Sequence, residues 1–343
     1  MDLTKPIDIT AVIGSCKKHK DLMTTLDKEE AADTLKYFTP ISGVKDSITL
    51  GRTTLASVSR KYTGEFLGQV AAGKIVPRTL KVYPCVMEMK DEPERYRRTY
   101  LQEVDGGLDP NKHPFGPWLI NYGIKSASAD LANVVLTAKY DSGTEHNEIK
   151  DAFDGIMTII DAEKTAENIS VSKGNEYATG DMSRANIGTK LLEMWRQMPQ
   201  KFRKQGGRMY ISEDLGEMYD DWLDDQGTLI TGSGAETAGQ QFLRNTNKKC
   251  EIIRLPGMPE GSQFVMITQT WNLVYGFDKR TDFAKLVPFP SGNPYMFTAA
   301  GKYVLGFQLV TLDKSVFLIN DQPVTPLSKA ASEASTTTEE GQA

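Results

Sequence analysis

The chain has 343 residues and a formal net charge of −5 at pH 7, with 39% hydrophobic and 25% charged residues. This composition is typical of a soluble protein with a buried core. The sequence has no run of eighteen or more apolar residues, so no membrane span is expected, and the mild negative charge argues against a dedicated nucleic-acid binder. The N-terminus lacks the pattern of a secretory signal.

The three cysteines, Cys16, Cys85 and Cys250, are few, odd in number and far apart. Their spacing predicts neither a disulfide framework nor a zinc site, so a reducing cytoplasm is the simplest compartment of synthesis.

Residues 1–40 are predicted to form an arm. Within it, residues 26–38 (LDKEEAADTLKYF) predict one amphipathic helix, because Ala31, Leu35 and Phe38 fall on one face and acidic residues open the segment. A proline at position 40 ends this predicted helix.

Residues 41–105 have a sequence pattern typical of extended strands. Two segments, residues 79–89 (TLKVYPCVMEM) and 94–102 (ERYRRTYLQ), are predicted to pair around the turn KDEP. A hairpin of this kind is barely stable alone in water. It therefore needs another surface to lie on, and another subunit is one source of that surface.

The longest predicted helix covers residues 114–140, with an apolar stripe in its second half. A short helix follows within residues 149–161 (IKDAFDGIMTIID). Strands and helices then alternate over residues 161–284. They include a helix over residues 185–203 and a strand that leads into a helix capped by Ser212.

The segment 250–278 (CEIIRLPGMPEGSQFVMITQTWNLVYGFD) predicts two apolar strands joined as a hairpin by a tight turn, followed by a third apolar run. Residues 302–320 predict two more strands around the turn LDKS. The tail, residues 326–343, is small and polar throughout, so we expect it to be disordered.

The residues that could carry chemistry form no recognisable constellation. His19, His113 and His146 lie in polar or turn-like contexts without a partner at ligand spacing. The glycine-rich segment 231–239 (TGSGAETAG) lacks the Gly-Lys-Ser/Thr of a phosphate-binding loop, which favours a surface loop. No sequence pattern of a serine or cysteine nucleophile is present.

Two charged groups of residues were weighed as binding sites. One is acidic and sits at helical spacing, which favours a solvated helix face over a divalent-cation site. The other is basic and lies near a helix end, where it could also contact phosphate without reading a sequence. The acidic group is Asp220, Asp221, Asp224 and Asp225, and the basic group is Arg196, Lys201, Arg203, Lys204 and Arg208.

The order of these elements resembles the major capsid proteins of tailed bacteriophages, which share the Hong Kong 97 fold. The resemblance spans about residues 20–322. It is carried by FTPISGVKDSITL, PRTLKVYPCVMEMKDEPERYRRTYL, DAFDGIMTII, GRMYISEDLGEMYDDWL and the segment 250–278. The last segment includes an Asn-aromatic-Gly-Asp run, here Asn272, Tyr275, Gly276 and Asp278.

The resemblance implies an α+β fold with an arm, an extended β-hairpin loop, a peripheral domain built on a long spine helix, and an axial α/β domain. In this sequence the arm would be residues 1–40 and the extended loop residues 41–105. The peripheral domain would be residues 106–160 with 285–325, and the axial domain residues 161–284. The tail is residues 326–343.

The resemblance further implies a shell protein with no catalytic, cofactor or metal site. It would form pentamers and hexamers and enclose double-stranded DNA. Its partners would be other copies of itself, a scaffold, a portal, decoration proteins in some phages, and packaged DNA through non-specific contacts. It would have no membrane contact and would reside in the virion after assembly in the bacterial host cytoplasm. Because the chain starts close to the arm, we expect any scaffold to be separate or already removed.

Two alternative functions remain open from the sequence. One is a cargo-holding compartment of the encapsulin type, which has the same fold. The other is a metal-dependent α/β enzyme that uses the acidic residues between positions 220 and 225.

Overall fold

The helices and strands of the computed structural model form two compact units. The model describes residues 8–54, 61, 74–98, 115–143, 148–226, 241–284 and 286–324. The first unit contains Met1–Lys45, Val82–Gly155 and Gly276–Gly306, and the second contains Asp46–Lys81, Ile156–Tyr275 and Phe307–Ala343.

The elements are numbered in chain order over both units. The helices are α1 (Ile9–Lys18), α2 (Ala31–Leu35), α3 (Phe115–Val134), α4 (Ile156–Thr165), α5 (Ile187–Gln197), α6 (Gln200–Gln205) and α7 (Glu213–Asp225). The strands are β1 (Thr39–Ser42), β2 (Ser47–Thr54), β3 (Lys74–Lys81), β4 (Tyr83–Asp91), β5 (Glu176–Tyr177), β6 (Gly207–Ile211), β7 (Gln241–Phe242), β8 (Cys250–Arg254), β9 (Met266–Thr268), β10 (Leu273–Phe277), β11 (Val287–Phe289), β12 (Phe297–Leu309) and β13 (Leu318–Asn320).

The sheet of the first unit has the order β1-β10-β12-β11, and β4 also pairs with β12. The β4–β12 pairing is antiparallel and runs from Phe297 opposite Asp91 to Leu305 opposite Tyr83. The predicted hairpin between residues 79–89 and 94–102 is therefore wrong. Residues 93–98 form a 3-10 turn, and the apolar alternation of β4 reflects one face on the core beside β12.

Helix α3 is the centre of the first unit, and α1 packs directly on it. Val12 and Cys16 of α1 are almost fully buried. The close approach is made possible by Gly116, since a Cβ there would lie 2.5 Å from the Val12 carbonyl oxygen and 2.6 Å from Cys16 Sγ. Asp8 caps α1 by accepting a hydrogen bond from the Thr10 backbone N–H.

Polar side chains on α3 fasten the segment that follows α1. The Asn121 amide accepts a hydrogen bond from the Thr24 backbone N–H and donates one to the Leu22 carbonyl, both at 2.8 Å. Buried Ser128 accepts from the Ala31 N–H at 2.9 Å and donates to the Leu26 carbonyl at 3.0 Å.

The segment predicted as an arm packs on α3 of its own chain over its described residues 8–38. The single helix predicted over residues 26–38 is wrong. It is split into a 3-10 turn at Leu26–Lys28 and the short helix α2, and Ser128 bonds to the first residue of each.

The sheet of the second unit has the order β5-β13-β9-β6-β8-β7. Strand β6 pairs with β8 in parallel and with β9 antiparallel. The hairpin predicted within residues 250–278 is therefore wrong, since β6 lies between its two arms. The connecting segment includes Gly257 and Gly261 at φ values of 81° and 69°, a conformation that glycine adopts readily.

The helices of the second unit follow the sequence prediction more closely. The predicted helix over residues 185–203 appears as α5 and α6, separated at Met198–Pro199. The Ser212 hydroxyl caps α7 by accepting a hydrogen bond from the Leu215 N–H at 3.3 Å and donates one to the Ser262 carbonyl at 2.7 Å. Their apolar faces cover the sheet and form the core.

The boundaries of the two units differ from those of the expected domains, and the largest differences lie at β4 and at residues 307–324. Strand β4 belongs to the first unit because it pairs with β12, although it was expected in the extended loop. Residues 307–324 belong to the second unit, since β13 pairs with β5 and β9.

Among the described residues, we find no helix with the length and apolarity needed to cross a bilayer. The predicted disordered tail 326–343, the loop 231–239, His113 and His146 lie outside the described residues.

The substitution Gly116→Ala should loosen α1 from α3. The added methyl group meets backbone at Val12 and sulfur at Cys16, so we expect a loss of about 1–3 kcal/mol in unfolding free energy. Chemical denaturation would measure this loss. Limited trypsin digestion should cleave after Lys17 and Lys18 sooner than in the parent protein.

The matched control is Gly14→Ala on α1, where a Cβ has no neighbour within 4 Å. Because alanine favours a helix interior over glycine, this variant should be unchanged or up to about 1 kcal/mol more stable. Equal stability and digestion rates for the two variants would contradict the packing described for α1.

Candidate functional site

The second unit contains a two-stranded hairpin, β2–β3, that forms a sheet of its own. The strands pair antiparallel in continuous register, from Ser47 opposite Lys81 to Thr54 opposite Lys74. A two-stranded ribbon of this kind needs support from elsewhere. The structure shows that support at the middle of the hairpin, where Arg78, opposite Leu50, holds it.

Arg78 bonds three groups on other parts of the second unit. Its Nε donates to the Leu309 carbonyl at 2.7 Å. Its Nη2 contacts Glu163 Oε1 at 2.8 Å and Gln308 Oε1 at 3.0 Å. The side chains of Arg78 and Glu163 are only 11% and 21% exposed, so this charge-assisted pair is stronger than a surface ion pair.

Two further contacts fix other positions along the hairpin. Gln308 Nε2 donates to the Thr79 carbonyl at 2.8 Å. On the neighbouring strand, Arg52 lies 5.3 Å from the Trp271 ring centre and 3.4 Å from the Ser315 hydroxyl. Both strands of the hairpin are thus anchored.

The segment that receives these arginines is itself fixed by buried amides. Asn272 accepts from the Thr311 N–H at 2.8 Å and donates to the Thr311 carbonyl at 3.0 Å. Asn175 donates to the Leu312 carbonyl at 2.9 Å. Fully satisfied buried amides specify one conformation, so the anchor is rigid.

A polar cleft of about 730 Å³ lies between the anchored hairpin and the rest of this unit. Its charged lining residues are Arg52, Arg78, Lys173, Lys314, Glu163 and Asp313. Glu163 is engaged by Arg78, and a hydrogen bond from the Ser315 backbone lowers the pKa of Asp313. Both carboxylates therefore form contacts that hold the chain.

The hairpin also carries exposed apolar side chains. Ile48 on β2 is 40% exposed and Val76 on β3 is 57% exposed. Apolar groups on a protruding ribbon gain stability when another surface covers them. The geometry thus suits contact with a partner.

Three of the four acidic residues that the sequence left open as a cation site are engaged by arginines. Arg184 contacts Asp225 at 2.7 Å and Asp221 at 3.2 Å, and Arg254 contacts Asp220. No cluster of three or more metal-ligating side chains occurs among the described residues.

The other sequence candidates lie apart from the hairpin anchor. His19 ends α1 in the first unit. Arg208 is bonded to Glu251 at 2.7 Å and to the Thr270 hydroxyl, and Arg203 donates to the Met198 carbonyl. The exposed residues Lys201, Lys204 and Arg196 remain at the surface.

Arg78, Glu163 and Asn175 belong to no motif that the sequence alone makes recognisable. The available signal was an arginine inside the strand KIVPRTLK, where it interrupts an apolar run. Asn272 was noted only within a motif, and the structure shows that its role is to bind backbone.

Comparison with solved structures identifies the fold. A chain of the satellite phage P4 procapsid, solved including the size determination (Sid) protein, matches with 12% identity and a TM-score of 0.52, covering 86% of this chain and 95% of that one. The capsid of the empty GTA particle matches with 11% identity and a TM-score of 0.53, covering 85% and 97%. The capsid of the native GTA particle matches with 11% identity and a TM-score of 0.51, and the match covers 84% of this chain and 89% of that one.

No protein-family model and no curated relative matches the sequence. At these identities the similarity shows the fold. The chain therefore has the α+β fold of tailed-phage major capsid proteins, as the sequence predicted.

The substitution Arg78→Lys should free the hairpin from its anchor. Lysine keeps the charge but cannot bond the Leu309 carbonyl, Gln308 and Glu163 together. We expect amide hydrogen exchange in β2 and β3 to rise at least about tenfold, while exchange in β6 stays unchanged.

Arg95→Lys is the matched control. Arg95 also forms an ion pair, with Glu92, but its side chain is 74% exposed. This variant should leave exchange in the hairpin unchanged. Equal protection of β2–β3 in both variants would show that Arg78 is not the anchor.

The three cysteines should be unreactive in the folded protein. Burial raises the pKa of Cys16 and Cys85 to about 12 and also raises the pKa of Cys250. At pH 8 the Cys16 and Cys85 thiols therefore stay protonated, and their thiolate fraction is on the order of a thousandfold below that of an exposed thiol.

Titration with Ellman's reagent at pH 8 would test this prediction. The native protein should react very slowly, and three thiols should appear at once in guanidinium chloride. Rapid modification of a thiol in the native protein would contradict the burial described here.

Proposed function

We propose that this chain is a structural shell subunit, the major capsid protein of a tailed bacteriophage. Copies of it assemble through pentamers and hexamers into an icosahedral shell that encloses double-stranded DNA. The observation that carries the proposal is a rigidly anchored hairpin with exposed apolar side chains on a chain that has a capsid fold.

The anchored hairpin supports this function for a physical reason. A protruding ribbon can cover a neighbour only if its direction is fixed before contact, because ordering it during assembly costs conformational entropy. Arg78 and Arg52 set that direction. The exposed residues Ile48 and Val76 then supply apolar area for the contact.

Shell assembly requires only modest individual contacts. Each subunit meets several neighbours, so after the first contact the others form at high effective concentration. Weak single contacts let misplaced subunits leave, and the closed shell is then held kinetically. No reactive side chain is needed for this function.

The proposal implies a set of partners and a location. The partners are other copies of the chain, a scaffold, a portal, decoration proteins in some phages, and packaged DNA through non-specific contact. Synthesis and assembly take place in the bacterial host cytoplasm, and the finished protein resides in the virion.

A hairpin-closure variant tests the proposed role of the loop. Thr54 and Lys74 face each other in register, so residues 55–73 can be replaced by Asn-Gly, which closes a two-residue hairpin turn. The variant should fold with an unchanged melting temperature but should not form closed shells in electron micrographs.

The controls separate folding from assembly. The parent chain, expressed with and without its neighbouring genes, should give shells, and the variant should give soluble protein with the same circular dichroism. Normal shells from the variant would show that residues 55–73 are not needed for closure. A parent chain that stays monomeric under every condition would refute the proposed function.

The content of purified particles distinguishes the alternative compartment. DNA in the particles supports the capsid, whereas a protein cargo without DNA would favour a compartment of the encapsulin type. Titration calorimetry with magnesium, calcium and manganese addresses the enzyme alternative, since tight stoichiometric binding would favour it.

A further inference from the structure

The second unit carries two oppositely charged surfaces that its own side chains do not neutralise. The first is the outer side of α7, where seven of thirteen residues are acidic and none is basic. We define this acidic face as Glu213, Asp214, Glu217, Asp220, Asp221, Asp224 and Asp225. Three arginines, Arg184, Arg244 and Arg254, lie against α7, so four negative charges remain in excess.

The residues of the acidic face differ in how far they are already used. Asp220, Asp221, Asp225 and Glu213 form ion pairs with Arg184 or Arg254. In contrast, Glu217 and Asp224 are exposed and form no ion pair within the described part of the chain. They are seven residues apart on α7, which places them on the same side of the helix two turns from each other.

The second surface lies where β6 and β8 begin. Gly207 N donates to the Lys249 carbonyl at 2.9 Å, which brings the turn before β8 next to the end of α6. We define the basic end as Arg196, Lys201, Lys204, Lys248 and Lys249, all of which are exposed. Among the residues that the structure describes, none of the five forms an ion pair.

Turn geometry helps to present part of this basic end. Asn245, Asn247 and Lys248 have φ values of 62°, 52° and 56°. This left-handed turn is closed by the Thr246 hydroxyl, which donates to the Leu243 carbonyl at 2.5 Å. Lys248 and Lys249 consequently stand at the surface, close to the end of α6.

We propose that the acidic face of α7 in one copy docks on the basic end of the next copy. This inference rests on the proposed function, because it requires copies that meet repeatedly. The two surfaces are complementary to each other and not to themselves. Such a contact is heterologous and generates a ring when the rotation closes.

Charge complementarity favours a second copy over other occupants. Each copy supplies both members of the pair, so every contact in a ring is matched in sign and number. Complementary potentials steer encounter and fix register, and like charges in the wrong register repel. The excess charge also explains why isolated ion pairs, which are individually weak at a surface, can still direct assembly.

The test is a charge swap within the full chain. The double variant Lys201→Glu with Lys204→Glu should lower the yield of rings or shells at least about tenfold, because it places like charges opposite each other. The double variant Glu217→Lys with Asp224→Lys should do the same. Neither double variant removes an ion pair described above, so both should fold with the parent melting temperature.

The quadruple variant decides the question. Combining all four substitutions restores opposite charges at every contact with reversed polarity, and assembly should return to near the parent yield. Lys125→Glu with Lys139→Glu is the control for net charge, since both lysines are exposed residues of the first unit. This control should assemble like the parent protein.

The remaining outcomes overturn the inference. If both double variants assemble normally while the parent forms shells, the docking contact is wrong and the shell function stands. If the quadruple variant folds but does not recover assembly, the two surfaces do not meet. If the Lys201 and Lys204 substitutions leave shells intact but lower their DNA content, the basic end binds nucleic acid instead. A parent chain that never assembles refutes the shell function itself.

Discussion

A buried polar side chain must find hydrogen-bonding partners, and this chain uses that requirement to join segments that are far apart in sequence. Ser128 and Asn121 hold the N-terminal segment on α3. Asn272 and Arg78 act likewise in the second unit. An unpaired polar group at the fully buried positions of Ser128 and Asn272 would cost about 1–3 kcal/mol. The irregular segments are therefore fixed as firmly as the helices.

The elements that the sequence predicted well are those decided by local physics. Helix α7 begins after Ser212, whose hydroxyl caps it, and carries acidic residues in its first turn as its dipole favours. Helix α3 follows an apolar stripe. Such features depend on residues three or four positions apart, so they can be predicted from a short stretch of sequence.

Strand pairing could not be predicted in the same way. Apolar alternation in β4 indicates a half-buried strand, but nothing in it specifies β12, which lies more than two hundred residues later. The segment between β8 and β9 has the glycines and prolines of a tight turn. The two strands nevertheless do not pair with each other, because β6 lies between β8 and β9 in the sheet. For the candidate site, Arg78 looks like any strand arginine until Glu163 and the Leu309 carbonyl are placed beside it.

The continuous register of β2 and β3 has a consequence for the segment that joins them. Because Thr54 and Lys74 stand opposite each other, the two stems are of equal length, and whatever joins them is decoupled from the anchor at Arg78. Loop closure entropy grows only slowly with length, at about 0.6 kcal/mol for each doubling. A longer connection at this point consequently costs little folding free energy, so its length can change without disturbing the fold of the subunit.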